Sequence, residues 1–258
     1  MLRPRAEPSL SETVALGLLQ GPAELLPISS SAHVELLPWL LGWEHAGLPA
    51  ERRKEVEVAL HAGTAVALLA VRGRSALRRP GLLGLAVLPA AVAGLALEGP
   101  IERRLGTPDA IAAGLVLGSV ALVVADRAPE VRAAGEAGAA DALWLGVAQA
   151  AALMPGVSRS GAVRSMARAR GFTRVSAVEL SADVALPVLI GATALKGVRL
   201  AQRDAPVGAL VAGTAAAALS TVAALRLDVG ARVPAAGWAA YRTLLAATVL
   251  AVGQNRRR

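Results

Sequence analysis

From Val207 to Leu225 the chain carries no charged residue. A helix needs roughly 20 consecutive apolar residues to cross a bilayer, so this run alone points to a membrane span. Four more runs approach that length: Gly81 to Leu97, Ala110 to Ala125, Ala142 to Ser158, and Pro234 to Gly253, the last interrupted only by Arg242. Their hydropathy predicts an all-α fold, a polytopic integral membrane helical bundle. Composition agrees. Of 258 residues 55% are hydrophobic and 18% charged, against about a quarter charged in soluble domains, and the mean hydropathy is +0.53.

The net charge of +8 does not signal nucleic-acid binding. All 27 basic residues except Lys54 and Lys196 are arginine, and they gather in short connectors: "RGRSALRRP" (72–80), "RARGFTR" (168–174) and the terminal "RRR". Loops flanking membrane spans have this appearance. Membrane lipids, not nucleic acid, are the expected surroundings. Without cysteine the chain has no disulfides and no thiolate metal site. The first apolar stretch is expected to stay in the protein rather than be cleaved as a leader, because Gln20 and Glu24 interrupt it and no small-residue cleavage site precedes a soluble domain. Eight to ten helices are expected, with two longer polar loops at 42–55 and 126–141.

The second loop lies near the middle of the chain, which invites a search for duplication. An offset of 129 residues, half of 258, lays "GLLQGPAELLPISSSAHV" (17–34) over "GVAQAAALMPGVSRSGAV" (146–163). Gln20 meets Gln149, Ser29 meets Ser158, and Ser31 meets Ser160. The same offset lays Leu60, Thr64 and Ala65 over Leu189, Thr193 and Ala194. The chain therefore reads as one membrane domain, 1–258, built of halves 1–129 and 130–258.

Each copy places a proline, Pro27 or Pro155, just before a run of hydroxyls. Proline breaks a helix, and in lipid the freed backbone groups must be met by protein or by water lining a cavity. Each copy thus predicts a helix, a break and a second short helix, a re-entrant helix-loop element. The second helix presents its first amides and its positive dipole end, a ready anion site. Taken alone, Ser29 and Ser31 read as helix caps.

The copies differ where chemistry needs them to. Glu24, Ser30 and His33 of the first face Leu153, Arg159 and Ala162 of the second. One half offers a carboxylate, a hydroxyl and an imidazole; the other offers a guanidinium flanked by Ser158 and Ser160. Arginine suits a bidentate grip on phosphate, and histidine beside serine suits proton transfer to or from a nucleophile. Glu24 and Arg159 at span depth are costly, so they mark function.

The stretches 17–43 and 148–195, with "VEVALHAGT" (56–64) between them, resemble the undecaprenyl-diphosphate phosphatase family, also called the bacitracin-resistance protein family. The resemblance covers most of the chain in order. It implies a multi-pass enzyme of the bacterial plasma membrane that hydrolyses undecaprenyl diphosphate to undecaprenyl phosphate, recycling the lipid carrier of peptidoglycan synthesis. It also implies inverted internal repeats, two re-entrant elements, a pocket facing outward, and dependence on a divalent cation, Mg2+ or Ca2+. By position, Gln20, Glu24, Ser29, Ser30 and His33 are the implied residues of the first motif, with Ser158, Arg159 and Ser160 from the second. Glu57 and Glu179 match further acidic positions. A homodimer stays open.

Some residues depart from the family. Gln20 stands where some members have glutamate, leaving Glu24 as the implied metal ligand; Ala32 replaces a usual glycine and His61 a common glutamine. Asp183 falls in a segment that is otherwise apolar, and is expected to face the cavity or a neighbouring subunit. The implied mechanism has Arg159 hold the diphosphate, with Gln20, Ser29, Ser158 and Ser160 around it. Ser30 attacks with His33 as proton partner, or a metal-activated water replaces Ser30. Broken helices in inverted repeats also build transporters, so a carrier of prenyl phosphate lipids is the alternative.

Overall fold

The computed structural model describes residues 7–200, 207–227 and 229–257. Among them the chain is all-α. The helices are α1 (Leu10–Leu25), α2 (Ser30–Leu41), α3 (Ala50–Ala76), α4 (Pro80–Leu105), α5 (Pro108–Asp126), α6 (Ala139–Ala151), α7 (Arg159–Ala169), α8 (Arg174–Leu200), α9 (Val207–Leu227), the short α10 (Val229–Arg232) and α11 (Ala235–Arg257). Six are long and apolar enough to cross a membrane: α3, α4, α5, α8, α9 and α11.

The apolar run Ala142 to Ser158 is not a span. Helix α6 stops at Ala151, and Gly156 (φ 89°) and Ser158 (φ 72°) turn the chain before α7 begins. The expected loop at 42–55 is also shorter, since its last residues already form the first turns of α3. Conversely, α3 and α8 were not among the long apolar runs because each carries charges. Those charges are paired across the bundle: Arg72 of α3 meets Asp183 of α8 at 2.7 Å and Glu179 at 3.3 Å.

Helices α1 and α6 begin at Leu10 and Ala139, and α2 and α7 at Ser30 and Arg159, so both pairs are 129 residues apart. Contacts at the helix ends show how each set is oriented. At one end, Arg79 before α4 donates to the carbonyls of Ala134 and Ala137 before α6. Asp141 in the first turn of α6 accepts from Arg132, and Arg174 at the start of α8 pairs with Asp126 at the end of α5. At the other end, Glu12 of α1 accepts from the backbone N–H groups of Glu44 and His45, Arg53 of α3 pairs with Glu35, and Arg256 of α11 donates to the Trp39 carbonyl. Helix α1 thus enters from one end of the bundle and α6 from the other, and the corresponding elements run in opposite directions.

Three apolar clusters hold the bundle. One joins α3, α4, α6, α7 and α8 around Phe172, Leu145 and Leu180; a second joins α2, α5 and α11; a third joins α1, α2, α3 and α9. In lipid, helices associate through close packing of small residues and hydrogen bonds between them. Helix α9 shows both. A Cβ added at Gly21 of α1 would lie 2.2 Å from Thr221 N, and one at Gly63 of α3 would lie 2.2 Å from the Thr214 carbonyl. Ser220 donates to the Gly17 carbonyl at 2.9 Å and Thr214 to the Ala59 carbonyl at 3.0 Å.

Candidate active site

The site lies where the two broken helices meet. Leu26, which precedes Pro27, is extended (φ −81°, ψ 154°), as sterics require of a residue before proline. The turn then passes through Ser29 at φ 74°, and the matching turn through Ser158 at φ 72°; these are the only non-glycine residues of positive φ among those described. Such a conformation is disfavoured by about 1 to 2 kcal/mol for residues with a Cβ, so the surroundings hold it. The Ser29 carbonyl accepts from His33 N at 3.2 Å and Nδ1 at 2.7 Å. Ser158 Oγ accepts from Gly161 N at 3.2 Å, capping α7, whereas Ser29 makes no side-chain cap on α2. Ser30 and Arg159 are therefore the first residues of α2 and α7, beside two helix N-termini.

Glu24 joins the two elements. It is buried, and its Oε1 accepts from Arg159 Nε at 3.2 Å and Nη2 at 3.0 Å. Its Oε2 accepts from Gln20 Nε2 at 3.2 Å and in a short hydrogen bond from Ser30 Oγ. His61 Nε2 lies 3.4 Å from the same oxygen, while its Nδ1 bonds the Glu57 carbonyl at 2.9 Å. Nδ1 must carry a proton to donate there, so the Glu24 contact is favourable when the ring carries both. Arg159 also reaches the Ser181 carbonyl at 3.3 Å. Gln20, Glu24, Ser30 and Arg159, expected together, are together; His61, flagged in the sequence only as a departure, joins them.

His33 is placed differently from expectation. Its Nδ1 donates to the Ser29 carbonyl, so Nε2 is left as an acceptor, and the Tyr241 hydroxyl donates to it at 2.6 Å. The two rings stack 5.7 Å apart and 9° from parallel. Both ring nitrogens are thus engaged away from Ser30, whose hydroxyl goes to Glu24. Three residues apart on α2, Ser30 and His33 share a face; the hydrogen bonds of the ring, to the Ser29 carbonyl and to Tyr241 of α11, turn it away.

Ser160 is expected to bind phosphate, but its hydroxyl donates to the Leu26 carbonyl at 2.7 Å and is 3.2 Å from Ser158 Oγ. Arg164 Nη2 donates to the Leu25 carbonyl at 2.6 Å, and Arg242 Nη1 to that of Pro27 at 2.9 Å. Three successive carbonyls at the first break are therefore each met by the second half, that of Leu26 also accepting from Ile28 N at 2.8 Å. The sequence does not single out Arg164, because its charge sits a few residues before the basic stretch 168–174 and reads as part of the same flanking charge. Arg242 was visible as the single charge in its apolar run. Tyr241 had no sequence signal beyond being the only tyrosine.

Asp183 faces Arg72 and ties α8 to α3 within the chain. Glu179 shares that arginine, and Glu57 pairs with Lys54 at 3.0 Å. Among the described residues no three His, Asp or Glu side chains cluster as a cation cage. Mg2+ is commonly held through one or two carboxylates together with substrate phosphates and waters. The carboxylate of Glu24 with the oxygens of Ser30 and Gln20 fits that mode. A cation there would displace one of the donors now on Glu24.

The arrangement is a buried carboxylate that holds a hydroxyl and a guanidinium at two helix N-termini, suited to an anionic substrate with a displaceable group. Residues 13–248 match the family model described as bacitracin resistance protein BacA. A protein of Pelotomaculum thermopropionicum called undecaprenyl-diphosphatase is 38% identical over 224 residues, covering 81% of this chain and 82% of its own. Proteins of the same name from Geobacter sulfurreducens (37% identical; 82% and 85% covered) and Gemmatimonas aurantiaca (33%; 95% and 98%) are similar along most of their lengths. A match that runs through both broken helices and on to α11 places this chain in the bacitracin resistance protein family.

Proposed function

We propose that the chain is a membrane phosphatase that hydrolyses undecaprenyl diphosphate to undecaprenyl phosphate and phosphate, recycling the lipid carrier of peptidoglycan synthesis and so conferring bacitracin resistance. Family membership supports the substrate. The observation that carries the chemistry is the shared carboxylate: Ser30 and Arg159, 129 residues apart in sequence, both bond Glu24.

The terminal phosphate takes the place of Glu24 as the partner of the Arg159 fork, with the N-terminal amides of α2 and α7 beside it. Ser30 Oγ attacks the terminal phosphorus. The bond from that phosphorus to the bridging oxygen breaks, and undecaprenyl phosphate leaves. The Ser30 proton passes to Glu24, the group its hydroxyl already meets. Water then hydrolyses the phosphoserine, releasing phosphate and restoring Ser30. Gln20 steadies Glu24, Ser29 and Ser158 set the turns, and Ser160 ties them. His33 secures the Ser29 carbonyl rather than taking the serine proton. A divalent cation, Mg2+ or Ca2+, held through Glu24 with Ser30 and Gln20, would offset the charge of the diphosphate.

We read the chain as one domain of two halves, 1–129 and 130–258, in the bacterial plasma membrane with its site opening outward. Release of phosphate from a long-chain prenyl diphosphate by the purified protein in detergent, with and without chelator, tests the function. Release that is lost in Arg159→Ala is expected. No release by the wild type would leave a carrier of the same lipid as the better description.

A further inference from the structure

The two broken helices are also held from outside, by one residue of α11. Arg242 has 0% of its surface exposed. Its Nη1 donates to the Pro27 carbonyl at 2.9 Å; its Nη2 meets the carbonyls of Gly156 at 3.0 Å, Val157 at 2.9 Å and Gly114 at 3.4 Å; its Nε donates to Leu115 at 3.2 Å. These five acceptors are all backbone carbonyls. One belongs to the first break, two to the second and two to α5. The glycines against it leave no slack: an added Cβ would lie 2.1 Å from Nη2 at Gly118 and 2.9 Å from Nη1 at Gly161.

The bonded carbonyls stand next to the parts of the chain that set the chemistry. Val157 immediately precedes Ser158, the left-handed cap from which Arg159 starts α7. Pro27 is two residues before Ser29, the left-handed cap from which Ser30 starts α2. A guanidinium is planar and rigid, with five N–H donors in a fixed fork, so it fixes the spacing of everything it bonds. Misplacing reacting groups by about 1 Å can cost on the order of 100-fold in rate.

We propose that Arg242 is a positioning residue for phosphoryl transfer. It holds the two breaks at the separation at which Ser30 and Arg159 share Glu24. It touches no substrate, since it is wholly buried, and it acts through the carbonyls of Pro27 and Val157. The inference rests on the phosphatase reading above.

The test compares wild type, Arg242→Lys and Arg242→Met in detergent, reading kcat and KM for a long-chain prenyl diphosphate with gel filtration and thermal unfolding beside them. Absence of turnover in the wild type would sink the phosphatase reading; the variants are informative once wild type is active. In folded Arg242→Met, kcat is expected to fall about 100-fold with KM within about threefold. Arg242→Lys, which keeps the charge and three donors, should recover part of that loss. A folded Arg242→Met within about tenfold of wild-type kcat overturns the proposal, as does a loss confined to KM. If Arg242→Met does not fold, Arg242→Lys decides: a kcat within about threefold of wild type despite a lowered unfolding temperature makes the residue merely structural, and a larger fall at unchanged KM supports positioning.

Discussion

Arg159 Nε and Nη2 both bond Glu24 Oε1, at 3.2 and 3.0 Å, and this one pair joins broken helices from opposite halves of the chain. Lysine keeps the charge but not the fork. Arg159→Lys is expected to lower kcat/KM by at least about 100-fold, the usual scale for losing one preorganised donor to a developing anion. Glu24→Gln should lose at least as much. Phosphate release by each purified variant checks both, and near-normal rates in either would remove the shared carboxylate from the mechanism.

Ser30 bonds Glu24 while His33 bonds Ser29 and Tyr241. Ser30→Ala should therefore lose at least about 100-fold in kcat, and His33→Asn less than Glu24→Gln. Acid-quenched wild type incubated with substrate labelled in its terminal phosphate should carry label on Ser30. Unlabelled protein together with an active Ser30→Ala would assign the attack to water.

The close approach of α1 to α9 predicts a stability difference between two glycines. Gly21→Ala should lower stability by about 1 to 3 kcal/mol through overpacking, because its Cβ would lie 2.2 Å from backbone. Gly84→Ala on α4 meets nothing within 4 Å; alanine is the better helix former there, by roughly 0.5 to 1 kcal/mol. Thermal unfolding in detergent should shift down for the first and not for the second.

His45 lies between α2 and α3, outside the spans, buried with no hydrogen-bond partner at either ring nitrogen. Burial, and next Arg53, push its pKa down to about 4, with Glu12 pulling the other way. The unfolded chain, near 6.5, binds the proton more readily. Stability from the neutral ring is thus full above about pH 6.5 and lost as pH falls toward 4. Unfolding temperatures between pH 7 and 4.5 should drop in the wild type and drop less in His45→Phe. Equal slopes would rule His45 out as the cause.

Much of this was legible from residue types. The prolines at 27 and 155 and the offset of 129 residues located both breaks, and the differences between the copies singled out Glu24, Ser30 and Arg159. Side-chain direction was not legible. Placing His33 beside Ser30 relied on spacing along one helix, while the structure turns the ring toward a tyrosine more than 200 residues later. The hydroxyl of Ser160 looked like a phosphate donor because nothing in a sequence shows that Leu26 has a carbonyl needing one. Spans α3 and α8 were hidden by charges such as Arg72 and Asp183, which cost little once they neutralise each other.

The carbonyls of Leu25, Leu26 and Pro27 find their partners at Arg164, Ser160 and Arg242. A ribosome delivers these residues in order, so the bend at Pro27 is finished by an arginine made 215 residues later. Until α11 enters the bilayer, the Pro27 carbonyl lacks the arginine that meets it, and lipid cannot solvate that group. Maturation of the site is therefore tied to the synthesis of α11, and a chain lacking α11 would hold both motifs yet lack the arginine that bonds both breaks.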